Sequence, residues 1–177
     1  MLKTFAIIAV VFVVIIIGIL IYASTQPDSF RVQRSVTIKA SPDRIFPLIN
    51  DLKPWAAWSP YEQKDPAMKR SFGPITAGKG ATYAWEGNRN VGQGSMEILE
   101  SAPQRVLIKL DFLKPFEAHN TAEFTLAPKG DTTDVTWAIY GPMPFMSKVM
   151  CTFISMDKMI GKDFEQGLAS LKAAVEK

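Results

Sequence analysis

Hydrophobic positions divide the chain into a long apolar N-terminal stretch and a body with two different hydrophobic periods. From Phe5 to Tyr22 the stretch carries no charge and is interrupted only by Gly18. As a helix it would be roughly 27 Å long at about 1.5 Å per residue, close to the hydrocarbon thickness of a bilayer. Its many β-branched residues would suit a strand in water, but an open strand in lipid leaves backbone polar groups unpaired. The pattern therefore predicts a transmembrane helix.

The same stretch also has features of a cleaved secretory signal peptide, since Ala23 and Ser24 are small. Against cleavage, the apolar run is longer than a signal-peptide core, and Tyr22 is bulky where a small residue is preferred. We favour an uncleaved single-pass anchor with a short linker over residues 1–27, followed by one domain over residues 28–177. The representative anchor side chains are Phe5, Ile8, Phe12, Ile16, Ile19 and Tyr22.

The orientation of the anchor depends on which charges are counted. The basic residues that follow it, among them Arg31 and Arg34, would place the body in the cytoplasm by the positive-inside rule. Long folded domains, however, cross the membrane largely regardless of their charge, and a very short N-terminal tail usually stays inside. We expect the body on the outer, periplasmic or extracellular, side of the cytoplasmic membrane.

The body begins with a strand and a short helix. Residues 30–38 alternate, with Phe30, Val32, Val36 and Ile38 on one face. Ser41-Pro42-Asp43 then supplies a helix start, because Ser caps, Pro is tolerated at the first helical position and Asp favours the positive end of the dipole. Lys53-Pro54 ends this helix.

A meander and a long helix complete the body. Turn residues such as Gly73-Pro74 and Lys129-Gly130 separate six further segments with strand character: 68–72, 81–86, 94–100, 105–112, 120–126 and 135–140. Apolar residues then recur three or four positions apart from about Phe145 to Val175, which predicts one long amphipathic helix. The fold class is α+β, a curved antiparallel sheet of about seven strands against this helix.

The order and spacing of several short motifs resemble those of the SRPBCC superfamily, in particular its polyketide cyclase/dehydrase-like branch. The resemblance covers residues 30–177 and rests on the segments Val36–Phe46, Trp55–Pro60, Gly92-Gln93-Gly94 and Thr133–Trp137. It implies the START-like helix-grip fold, in which the sheet wraps around the long helix and encloses a mostly apolar cavity. It also implies the binding of lipids, sterols, quinones, polyketides or similar molecules, without a shared catalytic triad.

Strand alternation indicates which side chains point toward the helix. Tyr83, Trp85 and Trp137 are the best cavity candidates, because a buried phenol or indole N–H needs a partner that a ligand oxygen can supply. Ordinary core packing is the competing interpretation for each of them. The predicted ligand-binding residues are Tyr83, Trp85, Met96, Phe112, Asn120, Phe124, Trp137, Met150 and Phe153.

Polar residues on the inward faces are informative because an unpaired polar group inside is costly. Arg34 and Glu100 lie near strand ends, where solvent is the default, whereas Asn120 can orient a ligand carbonyl or cap a turn. The only histidine, His119, falls on the outer face, so no catalytic residue is predicted. Gly161 and Gly167 weaken the long helix, which close approach of the sheet or a hinge would explain.

Composition narrows the function classes. The 20 Lys and Arg nearly balance the 17 Asp and Glu, and no basic run exceeds two residues, which argues against nucleic acid as a partner. The single cysteine, Cys151, has no second thiol for a disulfide or a zinc site. No metal-ligand spacing or phosphate-binding loop is present, so neither a metal nor a cofactor is expected.

The leading hypothesis is a membrane-anchored, non-enzymatic binding protein for a hydrophobic small molecule or lipid. A tether of roughly eight residues up to Phe30 would hold the cavity near the headgroups, where such ligands partition. Two alternatives remain open: a cyclase- or dehydratase-like enzyme that uses the same cavity, and a ligand-free protein-interaction or stress-related module. The sequence identifies no protein partner.

Overall fold

The computed structural model of the 177-residue chain describes residues 2–177. Thirteen elements follow one another along this part of the chain. They are α1 Leu2–Ser24, β1 Ser29–Ile38, α2 Pro42–Asn50, a 3₁₀ helix Pro54–Ala57, α3 Pro60–Lys64, β2 Lys69–Phe72, β3 Thr82–Glu86, β4 Gln93–Ala102, β5 Arg105–Lys114, β6 Ala118–Lys129, β7 Thr132–Pro142, α4 Phe145–Cys151 and α5 Met156–Val175.

The strands form one 7-stranded sheet in the order β1-β7-β6-β5-β4-β3-β2, and every neighbouring pair is antiparallel. From β2 to β7 the sheet is a meander, and β1 closes on β7 through the pairs Ser29–Pro142 to Ile38–Thr133. The predicted α+β class and the seven-stranded antiparallel sheet are confirmed.

The last helix lies across one face of the sheet and is fastened to its β1 side. Arg34 on β1 donates to Asp157 and Glu165 of α5 at 2.6–3.0 Å. At the other end of α5, Lys172 Nζ donates to the Thr37 carbonyl oxygen. Because α5 is held over β1, space remains between its opposite side and strands β3 to β6.

The predicted single helix from Phe145 to Val175 is wrong in one respect, because it is two helices. α4 ends at Cys151, and Ser155 caps the new helix by accepting a hydrogen bond from the Lys158 backbone N–H. The hydrophobic period continues across the break, which is why periodicity alone did not reveal it. Ser155 followed by Asp157 was the available signal.

A β-bulge in β4 places Glu100 on the outer face, although strict alternation put it on the inner one; its side chain is 44% exposed, in keeping with the solvent exposure expected near a strand end. Ile98 pairs with Ile108, but Glu100 pairs with Leu107, so Leu99 is the extra residue and the alternation shifts by one. Ser101 then takes the inner position and donates to Asn50. Glu100 instead accepts a hydrogen bond from Arg105 on the outer face.

The segment between α2 and β2 folds into the 3₁₀ helix and α3, which the sequence pattern did not predict. Two tryptophans fix it, because Trp55 Nε1 donates to the Ile49 carbonyl at 3.0 Å and Trp58 Nε1 to the Leu48 carbonyl at 2.9 Å. Both indoles also satisfy carbonyls at the end of α2 that have no partner within the helix. This arrangement positions α3 beside α5, on the rim of the space under the sheet.

The N-terminal helix α1 is long and apolar enough to cross a membrane, judged by length and composition. From Lys3 to Ser24, every residue except Ile19 and Ala23 is exposed, and α4 packs against α1. Residues 25–28 connect α1 to β1, a shorter link than the sequence pattern predicted, because α1 extends to Ser24.

Candidate ligand-binding cavity

A cavity of about 430 Å³ lies between the inner face of strands β3 to β7 and the N-terminal half of α5. Its wall is mainly apolar, with Ile108, Leu110 and Ile139 from the sheet and Ile160 and Phe164 from the helix. This volume falls within the roughly 300–1,000 Å³ typical of small-molecule sites. The cavity can therefore hold a compact hydrophobic molecule.

Most of the predicted ligand-binding residues meet on this wall. Strand β3 contributes Tyr83 and Trp85, while β4 and β5 contribute Met96 and Phe112. The two C-terminal strands of the sheet contribute Asn120 and Trp137. Contact of these side chains with a ligand stays a prediction.

Three of the predicted residues do not line the cavity. Phe124 is fully buried and packs edge-on against Trp55 and Trp58, so it belongs to the solid core under α2. Met150 and Phe153 are 53% and 69% exposed, because α4 and the segment after it turn away from the sheet. The helix break places only the residues from Met156 onward over the cavity.

The tryptophan N–H groups of the wall differ in their hydrogen bonding. Trp85 Nε1 donates to the Val91 carbonyl at 3.0 Å. Trp137 Nε1, by contrast, is the one buried side-chain nitrogen or oxygen without a partner in the described part of the chain. The Trp137 ring stacks on Phe164 with 4.0 Å between centroids, so its plane is fixed. A buried donor without a partner is costly, and a ligand acceptor within hydrogen-bond distance of it would relieve that cost.

A polar cluster that the sequence pattern did not predict sits beside Tyr83. Glu62 of α3 has a side chain only 9% exposed and accepts hydrogen bonds from Tyr83 Oη and Arg70 Nε, both at 2.6 Å. Burial raises the pKa of the Tyr83 phenol, and the bond to Glu62 raises it further. The wall thus carries a protonated phenol next to a carboxylate, held by an arginine.

A second phenol borders the cavity from α3. Burial raises the pKa of Tyr61, and the nearby Asp163 carboxylate adds to the effect. Asp163 in turn accepts from Lys64 Nζ at 2.6 Å. Neither Tyr61 nor Glu62 was predicted, because α3 is a single short turn without a hydrophobic period. The local signals for this turn were Ser59 at its N-cap, Pro60 at its first position and Glu62 three residues after Ser59.

Asn120 reaches the cavity next to a glycine. A Cβ at Gly141 on β7 would lie 2.2 Å from Asn120 Oδ1, so the amide occupies the space that a side chain there would take. Asn120 is therefore held against β7 with its amide on the wall, as expected for a polar cavity group. The alternative role as a turn cap does not apply, since Asn120 lies inside β6.

His119 and Arg34 lie away from the cavity. His119 is on the outer face, as predicted, with Nδ1 2.8 Å from Asp111 Oδ1. That hydrogen bond raises the pKa of the imidazole above its ordinary value of 6.5. Among residues 2–177, no group of three or more His, Cys, Asp and Glu side chains is arranged to hold a metal ion.

The mouth of the cavity is marked by the exposed members of its wall. One of them is Lys64, at the end of α3. The others come from the β3–β4 loop, the β5–β6 turn and the first turn of α5, and they are Asn90, Lys114, Pro115, Phe116 and Met159. The β5–β6 turn contains the cis peptide bond between Lys114 and Pro115. All three segments lie at the same end of the sheet.

The body of the chain is similar to one known protein family over nearly its whole length. Residues 29–176 match the family described as polyketide cyclase / dehydrase and lipid transport. The chain belongs to this family. The predicted resemblance is confirmed, and it covers the body without α1. No curated protein sequence matches the chain.

Solved structures share the helix-grip fold of this polyketide cyclase/dehydrase family. KanY aligns with a TM-score of 0.62 at 15% identity, over 84% of this chain and 99% of KanY. Protein CV1439 from Chromobacterium violaceum aligns at 0.56 and 19% identity, over 86% of this chain and 99% of that chain. DynU16, from the dynemicin biosynthetic locus, aligns at 0.56 and 19%, over 86% of this chain and 48% of DynU16. At these identities the likeness shows the fold alone.

Proposed function

We propose that this protein binds a hydrophobic small molecule or lipid in the cavity between the sheet and α5, while α1 anchors it in a membrane. Residues 1–27 are the anchor with its linker, and residues 28–177 are the binding domain. The observation that carries the proposal is the mainly apolar cavity of about 430 Å³ in a family described in part by lipid transport.

The chemistry of the wall supports this function. Burial of apolar ligand surface contributes about 25 cal/mol per Å² before the cost of ordering the ligand. Tyr83, Trp85, Met96, Phe112 and Trp137 supply aromatic or flexible apolar surface that a ligand would contact. Asn120 and the Trp137 N–H are the polar groups that would orient an oxygen of the ligand.

Anchoring gives the cavity access to its ligands. A hydrophobic molecule in a bilayer is far more concentrated there than in water, and a tethered domain samples it at a high effective concentration. The body is proposed to lie on the outer side of the cytoplasmic membrane, since long folded domains cross regardless of charge.

The test is to fill the cavity without disturbing the fold. Ala122 on β6 is buried on the wall, so Ala122→Phe places a ring in the ligand space. We expect at least tenfold weaker binding of a fluorescent fatty-acid probe by the full chain in detergent. Ala127→Phe, on the exposed outer face of the same strand, is the matched control and should bind normally. Equal probe affinity in both variants would contradict the proposal.

A second candidate function is suggested by the Tyr83–Glu62 pair. A phenol hydrogen-bonded to a carboxylate on a cavity wall is an arrangement that acid–base chemistry, such as dehydration, can use. If the protein is an enzyme of this type, Glu62→Gln should abolish turnover of a hydroxyketone substrate while binding is kept. If it only binds its ligand, no hydroxyketone in a panel is converted by the unmodified chain.

A further inference from the structure

Helix α4 and the segment after it expose apolar side chains and bury their charge. Lys148 is the only charged residue between Met143 and Met156, and it is 6% exposed. Five large apolar residues here are instead 46–69% exposed: Phe145, Met146, Met150, Phe153 and Ile154. Water favours the opposite arrangement, with the charge outside and the apolar groups inside.

This segment is joined to the end of the predicted membrane helix. Lys148 Nζ lies 2.5 Å from Asp28 Oδ1, and the Met143 N–H donates to the Asp28 carbonyl at 2.7 Å. α4 also packs against α1, in which Ala23 is fully buried. The exposed apolar residues of α4 are therefore held beside the point where α1 ends.

The register of the sheet brings the cavity mouth to the same end of the molecule. β1 begins at Ser29, directly after the linker, and Ser29 pairs with Pro142 at the end of β7. β7 runs beside the start of β6, whose Ala118 pairs with Phe112 near the end of β5. The β5–β6 turn with Phe116, 68% exposed, thus lies at the α1 end of the sheet.

We propose that these residues form a membrane-docking face that sets the cavity mouth against the lipid surface. The face consists of Phe145, Met146, Met150, Phe153 and Ile154, together with Phe116 and Met159 at the mouth. The inference rests on the proposed anchoring by α1. It specifies in addition that the body is docked on the bilayer rather than suspended above it.

Continuity with α1 is the reason to assign the lipid bilayer as the occupant of this face. α1 has the length and hydropathy of a bilayer span, it packs against α4, and the residues of α1 that are shielded, Ile19 and Ala23, lie in its last turns. Apolar side chains at the headgroup–acyl boundary gain the burial that they lack in water. Their position around the mouth lets a ligand pass between bilayer and cavity without crossing water.

Depth-dependent quenching in the reconstituted full chain tests the docking face. With Cys151→Ser as background, single cysteines at Phe116 and Phe153 carry an NBD fluorophore, and the vesicles contain phosphatidylcholine with a spin label near the headgroup. Leu99, an exposed apolar residue in the half of β4 away from the mouth, is the control position. We expect at least threefold stronger quenching at positions 116 and 153 than at position 99.

The outcomes separate this inference from the proposed function. Quenching at positions 116 and 153 no stronger than at position 99 overturns the docking face, even if the reconstituted protein binds the fatty-acid probe. A label at position 153 that is shielded from lipid and crosslinks to a second copy also overturns it, in favour of a dimer interface. Strong quenching without probe binding leaves the docking face intact and contradicts the proposed function instead.

Discussion

Glu62 is the residue on which the polar part of the cavity wall depends. Its carboxylate is almost enclosed and accepts from both Tyr83 and Arg70 at 2.6 Å. Strand alternation identified Tyr83 as a cavity phenol in need of a partner. The partner itself was not predictable, because Glu62 lies on a short turn where neither period applies. Its contact with Arg70 depends on how α3 meets β2.

Replacement of Glu62 by glutamine should destabilise the fold. The amide keeps the size of the side chain but turns one acceptor into a donor that faces Arg70 or Tyr83. Loss of a charge-assisted bond in a nearly buried position costs about 1–3 kcal/mol in the free energy of unfolding. Denaturant titration of the full chain in detergent measures it.

Glu86→Gln is the matched control, since Glu86 is 57% exposed and lies 3.8 Å from the even more exposed Lys69. That surface pair should change stability by no more than about 0.5 kcal/mol. Equal effects of the two substitutions would contradict the structural role assigned to Glu62.

His119 should titrate above the ordinary histidine pKa of 6.5, because the Asp111 carboxylate favours the protonated ring. A raised pKa in the folded state stabilises the fold below pH 6.5, and this contribution is lost as pH rises through the folded-state pKa. NMR titration of this single histidine should show the raised value. Asp111→Asn should return it toward 6.5, and Glu117→Gln, which removes a weaker contact at 3.5 Å, should lower it less. An unchanged pKa in Asp111→Asn would contradict this assignment.

At the scale of elements, the two glycines of α5 mark where the helix meets the sheet and α3. A Cβ at Gly161 would lie 2.2 Å from an Arg34 nitrogen, and one at Gly167 would lie 2.7 Å from Trp137 and 2.9 Å from Pro60. Close approach, one of the two explanations that the sequence allowed, accounts for both. Which glycine faces a rigid ring was not predictable, because it depends on how α5 is rotated over the sheet.

Gly167→Ala should therefore be destabilising even though alanine favours a helix by about 1 kcal/mol over glycine. Trp137 is stacked between Phe124 and Phe164 and cannot move away, so we expect a net loss of about 1–3 kcal/mol. Gly161→Ala meets only the end of the flexible Arg34 side chain and should cost less. Thermal unfolding of both variants measures the difference. A stabilising Gly167→Ala would show that the contact with Trp137 is loose.

The order of the elements followed from the sequence because each strand carries its own alternation and each turn its own Gly or Pro. The β4 bulge and the break before Met156 were not predicted from the sequence. Both keep the hydrophobic pattern but change which side of the sheet or helix the following residues occupy. The bulge places Glu100 on the outer face of the sheet. The helix break leaves Met150 and Phe153 exposed and outside the cavity. Local geometry of this kind is decided by tertiary packing.

For the whole molecule, the structure connects an apolar helix, an exposed apolar segment and the mouth of an apolar cavity at one end. The Asp28–Lys148 pair joins the first two, and the sheet register brings the third beside them. The sequence predicted the anchor and the cavity as separate features. That the anchor and the cavity mouth lie at the same end of the molecule is known only from the register of the sheet. The pattern of a single strand does not show toward which end of the sheet a cavity opens.

Native mass spectrometry of the full chain, released gently from membranes of its own host and followed by lipid extraction, tests the central claim most directly. Occupation of the cavity predicts a stoichiometric hydrophobic mass that the Ala122→Phe variant has lost and the Ala127→Phe variant retains. A chain that is consistently ligand-free and takes up no member of a panel of hydrophobic probes would contradict the binding function. That result would instead support the ligand-free interaction module.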